Sequence, residues 1–483
     1  IRLHNKNSSD WKHISGTELS RQQIAQKEAS NLLLGTKGLD KSSSVVYCTQ
    51  ATLNMETIHD PHLNHLFDGD SVFNVYNEGA VNLSVGAPGP DLLQHCVEMI
   101  KTATDHRLEE ERKRGKYYLF QYGITAGLWE CREELAMFLS RRYGDPVNRE
   151  DLISTCGASH GLQLLLNTII SPNGVIFVEE VTYMIALDLL KQFPLMKIVT
   201  VPMKDDVVDL EAFEGIVKEE KKNGNFFLND QKIFWALFYT IPTFHNPTGS
   251  VLPPQSCKRL VEVARNNSIV VACDDVYNLL YYGNGSPPHR LFFYDDPMDP
   301  NYKGGNVISN GSFSKILSPA IRFGWIECRP RIAKIFGSSG ILRSGGAVNH
   351  YVSGVITSLL HLKIQDAHLD RLIKVYGERL SVLCEVLDCY LPKDCSYQRP
   401  GGGYFVWIHL PIEINASDFI KWCQEEHKVS AIPGVMFSYT QKSRNFLRVS
   451  IGFHQKKVLE IASKTLCKAI ASYIKGNIYS KES

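Results

Sequence analysis

This sequence has almost no net charge: 52 lysines and arginines stand against 51 aspartates and glutamates, a formal +1. It has no long block of like charge either, so neither nucleic acid nor an anionic membrane surface is an expected partner. Paired cysteines are missing as well. The twelve cysteines are scattered without CxxC spacing or clustering, which argues against a disulfide framework. Several, such as Cys156, Cys273 and Cys328, lie in apolar runs and read as buried free thiols in a reducing compartment. No apolar run approaches the roughly 18–20 residues of a membrane-crossing helix. Cytoplasm is therefore the expected location. Because the sequence opens on Ile1 rather than methionine, a targeting peptide further upstream, and with it the mitochondrion, stays an alternative. Internal repeats and low-complexity stretches are also lacking.

What is present is an ordinary globular composition, 44% hydrophobic and 21% charged over 483 residues. That length suits two to four domains, or one large α/β unit with an accessory domain. Residues 1–70 are polar and weakly periodic, with seven basic against eight acidic residues. They read as an irregular extension with one short helix near "TELSRQQIAQKEASNLLL". From Val81 onward short β-branched runs alternate with amphipathic stretches. "GVIFVEE", "KIVTVPM", "KIFWALFYT", "SIVVACDD" and "NVISNGS" predict buried strands. "SHGLQLLLNTII", "LEAFEGIVKEEKKNG" and "PPQSCKRLVEVARNN" predict the helices between them. Such alternation, with continuously apolar strands, predicts an α/β fold on a mainly parallel sheet covered on both faces. Past Gly345 a long helical zone, "HLKIQDAHLDRLIKVYGERLSVLCEVLDCYL", precedes strands in "GGGYFVWIHL" and "NFLRVSIGF", as in a smaller α+β domain. The expected division is an extension over 1–70, a closing segment over 71–120, a large domain over 121–345 and a small C-terminal domain over 346–483.

Ligands of open α/β sheets sit beyond the carboxyl ends of the strands, so the polar residues there matter most. "KIFWALFYTIPTFHNPTGS" ends in His245, Asn246, Pro247, Thr248 and Gly249, and "SIVVACDDVYNLLYY" in Asp274, Asp275 and Tyr277. "NVISNGSFSK" ends in Ser312, Ser314 and Lys315, while "GASHGLQLLL" turns through Gly157, Ala158, Ser159 and His160 into a helix. Each has a bland reading: NPTG as a turn, a strand-terminal aspartate as a cap, GASH as a helix start, a lysine after serines as a surface residue. Together they match the needs of pyridoxal 5'-phosphate. A lysine captures its aldehyde as a Schiff base, and a carboxylate pairs with the ring nitrogen so that the ring accepts electrons. Asparagine and tyrosine bind the ring hydroxyl, while hydroxyls, a helix start and an arginine hold the phosphate dianion.

From Val81 to Phe453 the sequence also resembles the class I/II aminotransferases of fold type I, in the aminoadipate, kynurenine and aromatic or branched-chain branch. The matching motifs, in order, are "QYGITAGLWECREELAMFL", "GASHGLQLLL", "VEEVTY", "HNPTGSVLP", "CDDVYNLLYY", "GSFSKILSPAIRFGW", "GGGYFVWIHL" and "NFLRVSIGF". The resemblance implies a seven-stranded large-domain sheet and amino transfer between an L-amino acid and a 2-oxo acid. It also implies a homodimer with shared active sites. Lys315 would be the Schiff-base lysine, Asp274 the partner of the ring nitrogen, Asn246 and Tyr277 the contacts of the ring oxygen, and Tyr183 the residue stacked on the ring. Ala158, Ser159, His160, Ser312, Ser314 and Arg322 would form the phosphate cup, and Tyr122 would reach the neighbouring subunit's phosphate. Arg448, with Asn246, would grip the substrate α-carboxylate, and Gly86 would lie where the N-terminal segment closes. Two places depart from the family pattern: His160 replaces a glutamine, and the Phe-Pro pair usual after Gly86 is replaced within "DLLQ". Tyr122, Tyr183 and Tyr76 permit a large or aromatic substrate side chain.

Two other functions fit part of this pattern. A C–S lyase or an aminocyclopropane-carboxylate-type enzyme would share fold, cofactor and Arg448; formation of pyruvate and ammonia without a 2-oxo acceptor would identify the lyase. A cofactor-sensing regulator would need a DNA-binding module in front, for which the extension is too irregular and too neutral.

Overall fold

The computed structural model describes residues 80–346 and 349–479. The short helix expected near Thr17–Leu34, and Tyr76, lie outside the described residues. Strand β1 (Val81–Asn82) is followed by β2 (Leu152–Thr155), β3 (Ile170–Glu179), β4 (Lys197–Val201) and a short hairpin of β5 (Met203–Lys204) and β6 (Val207–Val208). Then come β7 (Phe234–Thr240), β8 (Val270–Asp274), β9 (Val307–Ser312) and β10 (Gly324–Glu327). The C-terminal part carries β11 (Ser396–Tyr397), β12 (Phe405–His409), β13 (Val429–Ser430), β14 (Ile432–Pro433) and β15 (Phe446–Ser450).

Seven strands form the large sheet in the order β2-β10-β9-β8-β7-β3-β4. The expected parallel pairing holds from β4 to β9. Strand β10 runs against both its neighbours, which places its amino end beside the carboxyl ends of the others. Every residue of β7 is buried, as a central strand covered on both faces requires. The helices fit the predicted stretches. Ala158–Ile169 buries Leu162, Leu165, Leu166 and Ile169, one apolar stripe at helical spacing. Leu210–Asn223 is capped by Asp209, whose side chain accepts from the Glu211 and Ala212 N–H groups.

The stretch predicted as a long helix is Ile364–Tyr390, and a second helix, His350–His361, precedes it. Lys363, between them, takes a left-handed backbone conformation with φ 58°, which ends one helix and starts the next at a new angle. Beyond them β11, β12, β15 and β14 form an antiparallel four-stranded sheet. Strand β1 pairs with β13 in a two-stranded sheet of its own, which ties the chain just before Gly86 to the C-terminal part. The tie continues along β15. The Ser450 N–H donates to the Leu83 carbonyl at 2.7 Å and the Ser450 hydroxyl to Val85 O at 2.8 Å.

Candidate active site

Asp274 ends β8 and Asp275 follows it, and the alternation of the extended chain sends their side chains to opposite faces. Asp275 turns to the far side, where it accepts from the Ser309 hydroxyl at 2.5 Å. Asp274 turns to the side of Lys315, and its Oδ2 accepts from the Tyr239 phenol at 2.7 Å. Its Oδ1 is buried and has no partner. Lys315 follows the end of β9 by three residues and donates from Nζ to the Gly86 carbonyl at 2.6 Å.

Opposite them, Arg448 projects from the middle of β15. Its Nη1 donates to Asn246 Oδ1 at 2.9 Å and its Nη2 to the Ser84 carbonyl at 2.6 Å, while Nε has no partner. The guanidinium lies between two rings, 4.1 Å from the centre of Phe405 and 4.8 Å from that of Phe437. Gly86 is required here because a Cβ would come 2.9 Å from Phe405 Cζ. Tyr277 is buried, and burial pushes its pKa well up. Tyr183, just before helix Met184–Leu190, interacts electrostatically with Asp274, Arg448 and Arg322.

The electrostatics follow from too few counter-charges in a poorly hydrated place. Lys315 is pushed down to about 8, by burial first and then by Arg448 and Arg322, against the pull of Asp274. Asp274 is pushed up to about 6 by burial and by Asp275, with the Tyr239 hydrogen bond and Lys315 opposing. Burial also lowers Arg448 to about 10. Tyr183 is raised to about 12 by burial, then by Asp274.

Next to this cluster lies a small polar cradle open towards solvent. Arg322, exposed and just before β10, donates from Nη1 to the Ser314 hydroxyl at 3.4 Å and from Nη2 to the Cys156 carbonyl at 3.4 Å. The Ser312 and Ser314 hydroxyls are 3.0 Å apart. Gly157 closes the cradle with φ 81°, and a Cβ there would meet Arg322 Nη2 at 2.9 Å. Helix Ala158–Ile169 starts there without a side-chain cap, so its first N–H groups face an incoming anion. Ser159 is exposed at that start. His160 accepts at Nδ1 from the Cys156 N–H at 3.3 Å. Burial lowers its pKa, so the ring is neutral with its proton on Nε2. Ala158 is held through its carbonyl by Asn310 Nδ2 at 2.7 Å.

One edge of the fold thus gathers Lys315, Asp274, Asn246, Tyr277, Tyr183, Arg448 and Gly86, with Ser312, Ser314, Arg322, Ala158, Ser159 and His160 beside them. Tyr122 is not brought to them: it is 83% exposed and lies against Gly345. Reading strand ends missed Tyr239, Phe405 and Phe437 as members of this neighbourhood. It also assigned nothing to a buried network below Asn246, where His245 Nε2 is 3.0 Å from Glu179 Oε2 and Thr240 donates to Glu179 Oε1 at 2.9 Å. The one local signal for Tyr239 was a hydroxyl inside an otherwise apolar central strand.

The donor set fits pyridoxal phosphate. An unpartnered buried carboxylate oxygen suits a ring N–H, and the glycine-floored cradle of hydroxyls, helix N–H groups and guanidinium suits a phosphate. Comparison with known proteins agrees. An aromatic-amino-acid aminotransferase of Thermococcus litoralis is 28% identical over 404 residues, 83% of this chain and 90% of that protein. A 2-aminoadipate transaminase of Thermus thermophilus is 27% identical, covering 77% of this chain and 85% of that protein. The crystal structure of an α-aminoadipate aminotransferase from Thermus thermophilus, complexed with N-(5'-phosphopyridoxyl)-L-leucine, matches with a TM-score of 0.68 at 26% identity, covering 82% of this chain and 93% of that one. The family pattern described as Aminotransferase class I and II matches residues 78–466. The chain belongs to that family, and it is a pyridoxal-phosphate-dependent transaminase.

Proposed function

We propose that the enzyme moves the amino group of an L-amino acid with an aromatic, aminoadipate-like or branched side chain to a 2-oxo acid, with Lys315 as the residue that captures the cofactor and moves the α-proton. One observation carries this reading: at the carboxyl edge of the large sheet the Lys315 amine is acted on by Asp274, whose Oδ1 has no partner, and by the buried Arg448 guanidinium, which comes from β15 of the second sheet. The names of the relatives favour amino transfer over the lyase alternative.

Bound there, pyridoxal phosphate supplies an aldehyde that captures amines and a protonated ring that accepts the electrons released at the α-carbon. Asp274 would hold the ring nitrogen, Asn246 and Tyr277 the ring oxygen, and Tyr183 the ring face. Ala158, Ser159, His160, Ser312, Ser314 and Arg322 would hold the phosphate. Arg448 binds the substrate α-carboxylate in a bidentate pair, taking it in place of the Ser84 carbonyl, with Asn246 still fixing Nη1. Lys315 Nζ, lowered to about 8, is neutral often enough near neutral pH to take up a proton and return it. The flanking Phe405 and Phe437 keep water from the guanidinium.

The expected domains follow the sheets. All seven large-sheet strands fall within 152–327 and the four-stranded sheet within 396–450, which supports a large domain over 121–345 and a small one over 346–483. The pairing of β1 with β13 supports a closing role for the segment that ends near 120. A homodimer with shared sites accounts for the exposed Tyr117, Tyr118, Phe120, Tyr122 and Ile124, with Tyr122 serving the site of the second copy. Among the described residues all cysteines are free and no helix is long and apolar enough to cross a membrane; a reducing compartment, the cytoplasm foremost, suits those thiols.

The test is Lys315→Ala. Borohydride should no longer fix the cofactor covalently to the chain, and transamination should fall by about 10⁴-fold or more. Cofactor still fixed to the substituted chain by borohydride would overturn the assignment. A screen of amino donors against 2-oxoglutarate and pyruvate then defines the substrate class.

A further inference from the structure

Tyr239 is 1% exposed, on the last turn of pleat before β7 ends, and its register partner on β8 is Ala272. Asp274 stands two residues beyond Ala272, on the same face of the sheet. The phenol donates to Asp274 Oδ2 at 2.7 Å, and Oδ1 of the same carboxylate is buried and unpartnered. One oxygen is thus anchored from the neighbouring strand and the other is left for a ligand. We propose that Tyr239 is a positioning residue for the transamination: its phenol fixes Asp274 and keeps it ionised, so that Oδ1 is presented to the ring N–H of the cofactor. This rests on the role given to Asp274 above.

The groups facing Asp274 come from several elements. Tyr239 reaches it from β7, Lys315 from the turn after β9, Tyr183 from the turn before helix Met184–Leu190, and Asp275 and Tyr277 from the turn after its own strand. Lys315 and the Tyr239 hydrogen bond favour the carboxylate, while burial and Asp275 favour the neutral acid. Tyr183 and Tyr277 are held neutral by burial, their pKa values raised. Tyr239 is itself pushed far up, by burial and then by Asp274, so it donates at every working pH. Removing its hydroxyl takes away one of only two influences that keep Asp274 charged. The ring itself would pack equally well as phenylalanine, so packing alone does not explain the hydroxyl.

The experiment titrates the full chain, freed of cofactor, with pyridoxal phosphate from pH 5 to 9, reading binding by tryptophan fluorescence. Tyr239→Phe should weaken binding about tenfold at pH 6–7 and move the acid limb of the affinity profile up by about one pH unit. The melting temperature of the cofactor-free form should fall by no more than a few degrees, the loss of one buried hydrogen bond. Tyr239→His, which returns an N–H donor, should recover part of the shift. A Tyr239→Phe profile with the acid limb of the unsubstituted chain overturns the proposal. Should Tyr239→Phe not fold, Tyr239→Leu, which also lacks a donor, decides: a displaced limb supports the proposal and an unmoved one overturns it. Asp274→Asn in the same titration separates the two layers. If it binds with unchanged affinity, the role of Asp274 falls and takes this inference with it. If it binds weakly without an acid limb while Tyr239→Phe behaves as the unsubstituted chain, only the role of Tyr239 falls.

Discussion

Strands β8 and β9 have a charged group at each end, and the two ends are built differently. At the amino end Arg265 is fully engaged: Nε and Nη2 donate to Asp295 Oδ1 at 3.2 and 2.8 Å, and Nη1 pairs with Asp299. The other oxygen of Asp295 accepts the Asn306 and Val307 N–H groups, at 2.6 and 3.0 Å, where β9 begins. Such a group is closed, and the carboxylates hold the Arg265 pKa up despite its burial. At the carboxyl end of the same strands Asp274, Lys315 and Arg448 share too few partners, and each drifts towards its neutral form. Satisfied charge serves the fold, whereas under-paired charge is poised for a ligand.

Substitutions should therefore have opposite consequences at the two ends. The largest effect on stability belongs to Asp295→Ala, which strands a buried guanidinium and two strand-end amides. Denaturant unfolding should show a loss of about 3–5 kcal/mol, with kcat of the protein that remains folded within about twofold of its starting value. An equal loss of kcat and stability would break the distinction.

Next is Lys315→Met in the cofactor-free chain, where a destabilising charge is removed. The folded-state pKa of Lys315, about 8, lies below its ordinary 10.5. Its contribution to stability is present above 10.5 and is lost as pH falls through 8. Below pH 8 the substituted chain should thus be the more stable, by about 2 kcal/mol once the residual exposure of Lys315 is discounted. That gain should fade between pH 8 and 10.5. Unfolding at several pH values measures it, and a gain that does not fade would mean the lysine is not strained by its charge.

The smallest effect is expected for Phe437→Leu, which keeps the apolar wall against Arg448 but removes one ring face. Loss of about 0.5–1 kcal/mol of cation–π attraction should raise KM for the amino acid a few-fold and leave kcat nearly unchanged.

How much of this was legible beforehand differs by element. The parallel core was, because β7, β8 and β9 are buried on both faces and so read as unbroken apolar runs bounded by polar punctuation. The set of strand-end residues was legible for the same reason: each lies within a few positions of a predicted strand terminus, and a parallel sheet brings those termini to one edge. Arg322 was placed only through family likeness. What puts it at this edge is that β10 runs antiparallel, and four residues of strand do not declare a direction. Phe437 was not legible, and Tyr239 showed only as a hydroxyl within an apolar strand. Phe437 stands in a one-turn helix whose neighbours give no hint of Arg448, and Tyr239 gains meaning only through its register with β8.

Local spacing and burial patterns were enough to name a lysine and a carboxylate and to set them on neighbouring strand ends, whereas the carboxylate-binding Arg448 came only from family likeness. Contacts between residues 35 or 202 positions apart, such as Tyr239 with Asp274 or Arg448 with Asn246, depend on register and on how the second sheet meets the first. Those are decided by the packing of the whole chain. The pleat then selects Asp274 over Asp275, and the sheet leaves one of its oxygens unclaimed.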